Sequence, residues 1–508
     1  MHLPLTQRQP APFDGQKNEL IAEQGVANPA RLRATVPPFE LDRLCLFAFA
    51  WAMASLLHCL TFGERLNLQH PLNLALLAAA ALVILVPQSV WPFVAMLCIS
   101  MGNTLDWMPF EPNHILFEFI VNMGILGALG WTIARHYARG RTLQGLETPA
   151  GRAALFDAFA PFVRVCLLLL YFYAVLHKLN RDYFNTDISC STALLQGYAQ
   201  RLPFLLNSAW ARWSAVWGTI AIEAAIPLLL CWRKTRSAGI VLGMGFHFFL
   251  AFHPAQGLYS FSGLLFALYL LFVPVQFPGQ VQRMARGLLG SAGRWAPAAL
   301  RVAVAGGVVA LVAAGRSAHL LSLAGLGLWL GWGLAFMTVF VLVSRRNAGT
   351  PERFGALVRV QPAAFWLIPA LVFFNGMNPY LGLKTEKSFA MFSNLRTEGG
   401  VSNHLLISHP LYLTDLQLDL VEIKATNLET LRRVMADRQL ITYFELRRAA
   451  SEAQTDFFVR FVRHGAPQTV RVANGVSNQP ALTRPYPWLV TKFVRFRPVD
   501  QGPCTCKH

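Results

Sequence analysis

Apolar runs of about twenty residues recur from Leu41 to Met377, and each approaches the length a helix needs to cross the hydrocarbon core of a bilayer. No other feature constrains the fold as strongly. A chain with this many such runs cannot cover them all in one soluble core. Only 14% of the residues are charged, against about a quarter in soluble domains, which excludes an ordinary soluble enzyme and a disordered chain. The net charge of +18 would suggest nucleic acid in a soluble protein. Here Lys and Arg fall mostly in short loops between apolar runs, so membrane topology explains the excess and no nucleic-acid partner is expected.

Eleven helices are expected, at 41–61, 72–87, 89–102, 113–134, 158–178, 211–231, 237–252, 256–276, 298–316, 318–344 and 363–377. The third is short and contains Pro92, so a buried or re-entrant helix is an alternative there. Basic residues concentrate in loops 135–157, 232–236, 277–297 and 345–362. With eleven spans and the N-terminus inside, all four loops lie on the cytoplasmic side. Arg65, Arg181, Arg201 and Arg316 depart from the pattern. Residues 1–40 are polar and Pro-rich without an apolar signal-peptide core, and read as a cytoplasmic tail. Residues 281–377 supply additional transmembrane helices.

Residues 378–508 change character and are expected outside the cytoplasm as a small α+β domain. Leu418 to Thr426 reads as a strand, Asn427 as the cap of a helix through Asp437, and Ile441 to Ala453 as a second helix. Asp456 to Arg463 and Gln468 to Asn474 read as a hairpin across His464-Gly465-Ala466-Pro467. The expected fold is an all-α polytopic membrane bundle with this extracytoplasmic domain. Eight cysteines are too few for a disulfide scaffold, and five lie in apolar runs as small hydrophobes. Cys504 and Cys506 are too close in sequence to pair with each other without strain. No CxxC completes a zinc site, with His508 the one candidate third ligand, so no metal is expected. Gly325, Gly327 and Gly331 lie in a spanning run and read as helix-packing glycines.

Ionisable groups at membrane depth are costly and mark candidate sites. They are His58, His114, Glu118, Arg164, His177, Lys178, Glu223, His247 and His253. On the expected topology most converge at the outer leaflet, where Tyr259, Ser260 and Ser262 also open a helix. Six of them have a plainer reading. Lys178 at a helix end and Arg164 near the inner end are placed to snorkel. His58 and His253 are placed to bond a carbonyl. Glu118 and Glu223 are placed to pair inside the bundle.

Residues 171–184 read YFYAVLHKLNRDYF. This resembles the signature of the vitamin K-dependent γ-carboxylases and their bacterial relatives, the horizontally transferred transmembrane (HTTM) domain proteins, in which an aromatic helix ends in Lys-Leu-Asn/Asp. Pro112-Asn113-His114 resembles that family's upstream Asn-His motif. Phe246-His247 followed by Tyr259-Ser260-Phe261 is similar to its Phe-His segment and the next helix. The resemblance covers roughly residues 40–280, a carboxylase-like transmembrane core over 41–280, and implies a bacterial inner-membrane protein. Residues 378–406 are similar to segments after the last helix in bacterial members.

The resemblance implies that Lys178 is the base that activates a reduced naphthoquinone. Reaction with oxygen then yields an alkoxide that removes a γ-proton from a peptide glutamate, and the carbanion captures CO2. It places His114 and His247 beside Lys178 as catalytic residues, and Asn113, His177 and Tyr259 as cofactor-binding. It implies a peptide or protein substrate with glutamate and a quinone reductase as partners, in addition to the lipid bilayer. The sequence departs from the carboxylases in its shorter C-terminal portion, in His177 before the lysine and in Asn180 for their Asp. A second function remains open: a non-catalytic scaffold or lipid-binding protein that keeps the fold. A transporter is a third, but no internal repeat is present. Segment 384–404, with Lys384, Lys387, Asn394, Arg396, Asn403 and His404, either caps the membrane site or is a solvated connection.

Overall fold

The computed structural model describes residues 40–61, 70–199, 203–253, 258–290, 318–346 and 352–506, with scattered positions between 299 and 310. All but the last residue of the expected tail (1–40) and more than half of the expected ninth helix, 298–316, lie outside the described residues. Residues Leu41–His508 form one compact unit.

Helices stand at all the other expected spans. They are α1 (Arg43–Thr61), α2 (Pro71–Leu85), α3 (Val90–Trp107), α4 (Asn113–Tyr137) and α5 (Pro149–Leu176). After a short helix, α6 (Cys190–Ala199), come α7 (Ala209–Cys231), α8 (Arg236–Leu250), α9 (Tyr259–Tyr269), α10 (Phe277–Leu289), α11 (Ala318–Arg345) and α12 (Leu367–Leu381). By length and apolarity α1, α4, α5, α7 and α11 qualify as membrane spans. A sixth is added if Tyr259–Phe272 and Phe277–Leu288, bent by 110°, count as one. Eleven were expected. The shortfall is largely one of length: α2, α8 and α12 have 15 residues each, about 22 Å of helix, less than the ~30 Å hydrocarbon core.

Asp42 starts α1. Its Oδ1 accepts from Cys45 N (2.9 Å) and its Oδ2 from Arg152 Nε (2.6 Å). Arg152, expected as a loop charge, is therefore a buried tie between α1 and α5. α1 lies at the centre of the bundle, packed by α2, α9 and α11, with Trp51, Phe47 and Leu57 buried. Loop 277–297 proves helical at its start: α10 lays Val281 and Met284 on the core and exposes Arg283, as an amphipathic interfacial helix does. Arg164 does not snorkel. It is buried, and its guanidinium donates to the carbonyls of Leu271 and Leu357, both at 2.7 Å.

The C-terminal region holds a five-stranded antiparallel sheet in the order β2-β1-β3-β4-β5. The strands are β1 (Leu420–Thr426), β2 (Leu440–Thr442), β3 (Phe457–Arg463), β4 (Ala466–Ala473) and β5 (Val476–Ser477). Two helices, α13 (Glu429–Ala436) and α14 (Tyr443–Ser451), cover one face, where Val421, Ile423, Val459, Phe461 and Val470 meet Leu431, Val434 and Leu446. The hairpin forms with a tighter turn than expected. His464 and Gly465 both take positive φ, 48° and 77°, and Arg463 pairs with Ala466, the two-residue connection that matches strand twist. Asn427 does not cap α13. Its Oδ1 accepts instead from Phe458 N on β3 (2.8 Å). The expected helix from Ile441 begins only at Tyr443, because Leu440–Thr442 are taken up by the sheet edge beside β1.

The last residues return to the bundle. Lys492 Nζ donates to Leu105 O (2.9 Å) at the end of α3. Arg497 Nε donates to the buried Glu398 carboxylate (3.0 Å). Cys190 and Cys506 form a disulfide, a pairing that the sequence reading did not propose. The partner is not the adjacent Cys504 but a residue 316 positions away in sequence.

Candidate functional site

The α5 helix and the turn that ends it carry Tyr171, Ala174 and Lys178 at a spacing that places them on one face, and all three line a cavity of about 200 Å³. α6 adds Ser191 and Tyr198, α7 adds Thr219 and Glu223, α8 adds Phe246 and His247, and α9 adds Phe261. The walls are predominantly apolar and aromatic, with a few convergent polar groups, the composition expected of a small-molecule site.

Lys178 Nζ donates to Glu223 Oε2 at 2.7 Å and to Ala174 O at 3.1 Å. Both side chains are largely withdrawn from solvent, 5% and 12% exposed, so Lys178 does not reach toward headgroups. Burying two charges is costly, and a tight pair with further hydrogen bonds offsets that cost. Across the cavity His247 Nε2 lies 2.9 Å from the Tyr171 hydroxyl. That hydroxyl also bonds the hydroxyl of Tyr269. His247 Nδ1 is buried and has no hydrogen-bond partner among the described residues.

Two of the six expected site residues, Lys178 and His247, line the cavity. His114 does not. Its Nε2 meets Ser260 Oγ at 2.9 Å, and Phe261 lies between it and the cavity histidine, with ring centroids 5.6 Å from His114 and 5.3 Å from His247. Asn113 Oδ1 accepts from Phe389 N (2.8 Å), so it holds a residue of the cavity wall and does not line it. His177 sits between Tyr173 and Tyr380 with Nε2 3.1 Å from Gly376 O. It fastens α5 to α12 and does not face the cavity. Tyr259 packs toward Trp329, 6.3 Å between centroids, also off the cavity. Lys178 and His177 diverge because adjacent helical positions point about 100° apart. Glu223, weighed as a structural carboxylate, is a member of the site. It is the single carboxylate in its apolar run, and that isolation was the signal available.

Segment 384–404 is a cap and not a solvated connection. Ser388, Phe389, Ser393, Asn394, Glu398 and His404 are all buried, and Phe389, Met391 and Phe392 complete the cavity wall. Lys387, Phe389, Phe392 and Asn394 take φ of 58°, 62°, 48° and 54°. For all but Asn this left-handed conformation is strained, and such strain is held only where surroundings dictate it. The surroundings are side-chain amides. Asn394 Oδ1 accepts from Cys190 N (2.7 Å), and its Nδ2 donates to Ile188 O (3.0 Å) and Cys504 O (2.7 Å). Asn180, directly after the Lys-Leu pair, donates to His177 O (2.8 Å) and Ser393 O (2.5 Å). His404 accepts at Nδ1 from Leu406 N and Ile407 N (3.1 and 3.0 Å), with Nε2 2.9 Å from Leu176 O. Burial pushes the Lys384 ammonium down to about 8. Among the described residues no group of three His, Cys, Asp or Glu is placed to hold a metal ion.

No curated protein matches the chain, and no solved structure does. One family model, the HTTM domain, matches residues 148–277. The match runs from the cap of α5 to the start of α10 and contains Tyr171, Lys178, Glu223, His247 and Phe261. It is narrower than the expected 40–280 and excludes Asn113 and His114. The residues that build the helical wall of the cavity thus lie within the stretch, 148–277, that is similar to the HTTM domain.

Proposed function

We propose that the chain is a membrane enzyme of the carboxylase-like type, in which Lys178 and Glu223 handle the proton of a reduced naphthoquinone bound in the cavity. The observation that supports it best is the buried Lys178–Glu223 pair at 2.7 Å in the wall of an aromatic-lined cavity. The residues present suit a fused aromatic ring. Phe246, Phe261, Phe389 and Phe392 offer faces, and the unpartnered His247 Nδ1 is available to a ring oxygen. When bound, the hydroquinone supplies with oxygen the strong base that a γ-carbon acid requires.

The chain's own residues prepare and receive a proton. The Lys178–Glu223 hydrogen bond lets one proton sit on either partner. With it on Glu223, Lys178 Nζ is a neutral amine able to take a hydroxyl proton. The ammonium so formed keeps its bonds to Ala174 O and to Glu223. The His247–Tyr171–Tyr269 chain orients the imidazole, and the cap with Phe389 and Phe392 excludes water. A peptide glutamate as acceptor and a quinone reductase as supplier go with this reading.

The orientation that goes with it has the N-terminus in the cytoplasm and residues 378–508 outside, with the shorter helices completing an eleven-helix bundle. The basic loops support it. So does the Cys190–Cys506 disulfide, since disulfides persist in oxidising compartments. The ion pair of Lys178 with Glu223 also suits a second reading, a lipid-binding or scaffold protein whose lysine is structural.

Turnover in nanodiscs separates the two. Purified protein is given reduced naphthoquinone and oxygen, and quinone epoxide is followed by chromatography for wild type, Lys178→Ala and Glu223→Gln. Epoxide from wild type and loss of at least about a hundredfold in Lys178→Ala is expected. No epoxide from folded wild type across several quinones overturns the enzyme reading in favour of the second.

A further inference from the structure

A second buried polar cluster lies on α4, one turn below His114 and apart from the cavity. Glu118 Oε1 accepts from Ser100 Oγ at 2.9 Å and from Asn122 Nδ2 at 3.5 Å. The carboxylate is 6% exposed. Unlike Glu223, it forms no ion pair among the described residues. A buried carboxylate without a counter-charge costs several kcal/mol, so its site calls for a bound cation or for a proton on the carboxyl.

Beside it is a chamber of about 10 Å³ lined by His58, Ser100, Asn103, Thr104, Glu111 and Glu118 among others. That volume admits one water-sized species. Two lining atoms are buried without a hydrogen-bond partner, Asn103 Oδ1 and Glu111 Oε2. Asn122 Oδ1, behind Glu118, is a third. All three are acceptors. The hydroxyl protons nearby are already committed, Ser100 to Glu118 and Thr104 to Ser100 O (2.9 Å), and Ser100 Oγ accepts from Asn122 Nδ2 (3.4 Å), so neither hydroxyl has a proton to offer the unpartnered acceptors. Carboxylate, amide carbonyl and hydroxyl oxygens are ligands for hard cations. Lys384 and Lys387 of the cap act on Glu111, but neither lines the chamber.

We propose that this chamber binds a single sodium-sized monovalent cation through Glu118, Glu111 and Asn103 Oδ1. The cation neutralises Glu118 and ties α3 to α4 and the turn before it. It also has a route to His114. His58 lines the chamber, and its Nδ1 lies 3.4 Å from Ser260 Oγ, the same oxygen that meets His114 Nε2. Cation occupancy therefore sets the field around the Ser260–His114 contact without touching the cavity.

The test is thermal unfolding of the full chain in detergent, with choline chloride exchanged for NaCl at constant ionic strength. Wild type is expected to gain about 3 °C in Tm with saturation, as a specific ligand does. Glu118→Gln, which keeps the shape and an acceptor for Ser100, is expected to lose the gain. Asn103→Leu is expected to raise the sodium midpoint at least about tenfold, a loss of one ligand, and it decides the matter if Glu118→Gln does not fold. A wild-type Tm indifferent to the exchange overturns the proposal, since Glu118 then carries its own proton. A sodium response undiminished in Glu118→Gln, or an unshifted midpoint in Asn103→Leu, overturns it as well.

Discussion

The cavity has two unlike walls. On one side α5, α6, α7 and α8 present side chains at helical spacing, and their position follows from packing along whole helices. On the other, residues 384–404 have almost no regular structure, four left-handed non-glycine residues, and a network of side-chain amides bonded to backbone. The helical wall carries the charge pair and the HTTM match. The cap carries closure. Packing spreads its energy over many contacts, whereas a cap held by a few hydrogen bonds depends on each of them. Changes in the helical wall are therefore expected to alter charge and chemistry, and changes in the cap to alter access.

The largest effect is expected where the helical wall loses half of its ion pair. Glu223→Ala leaves Lys178 buried alone and is expected to cost about 3–5 kcal/mol. Lys178→Met added to it is expected to restore most of the loss, read as thermal unfolding in detergent. A double variant no better than the single would show that the pair is not held as charges.

On the cap side, Asn394→Ala removes three buried hydrogen bonds, worth together about 3 kcal/mol. It also puts alanine at φ 54°, which asparagine tolerates better. Faster hydrogen exchange over 384–407 with unchanged exchange in α5 is the expected pattern. Exchange that rises equally in both would erase the distinction between the walls.

Cys506→Ser is expected to cost about 2 kcal/mol, the low end for a disulfide, because α6 and the cap stay joined through Asn394. Limited proteolysis of the C-terminal residues reports it. Unchanged proteolysis would mean that the disulfide adds nothing to the amide network.

The smallest effect concerns His404, which burial holds below the usual histidine value of 6.5. Its Nδ1 accepts two backbone N–H groups, so protonation there breaks both. A histidine lowered in the folded state contributes stability that is complete above the unfolded value and fades as pH falls through the folded one. Wild type is expected to lose Tm more steeply than His404→Gln as the pH falls below about 6.5. Parallel profiles would remove His404 from the cap's supports.

The contrast between the walls also separates what was legible in advance. Apolar runs placed most of the described helices within a few residues, because burial in lipid demands length and apolarity at each position; α5 begins at Pro149, nine residues before its expected start. The hairpin was legible from alternation and a Gly turn. The capping of Asn427 was misread because its carbonyl oxygen finds Phe458 N in a neighbouring strand, and that neighbour is created by folding. Loop 277–297 was misread because its amphipathic spacing is masked by basic residues that equally suit a loop. The cap was legible only as one of two alternatives, because no periodicity marks a segment whose hydrogen bonds run to partners more than 200 residues distant, as from Asn394 to Cys190 and Ile188.

By itself the sequence determined that this is a multi-helix membrane protein, where its helices lie, and that an aromatic helix ends in a lysine. These depend on composition and on a period of 3.6 residues, which are local properties of the chain. Tertiary structure alone decided that Lys178 pairs with Glu223, that Phe261 stands between His114 and His247, that Cys190 meets Cys506, and that residues 384–404 close the cavity. Each depends on which helix face meets which, and that is set by the packing of the whole bundle.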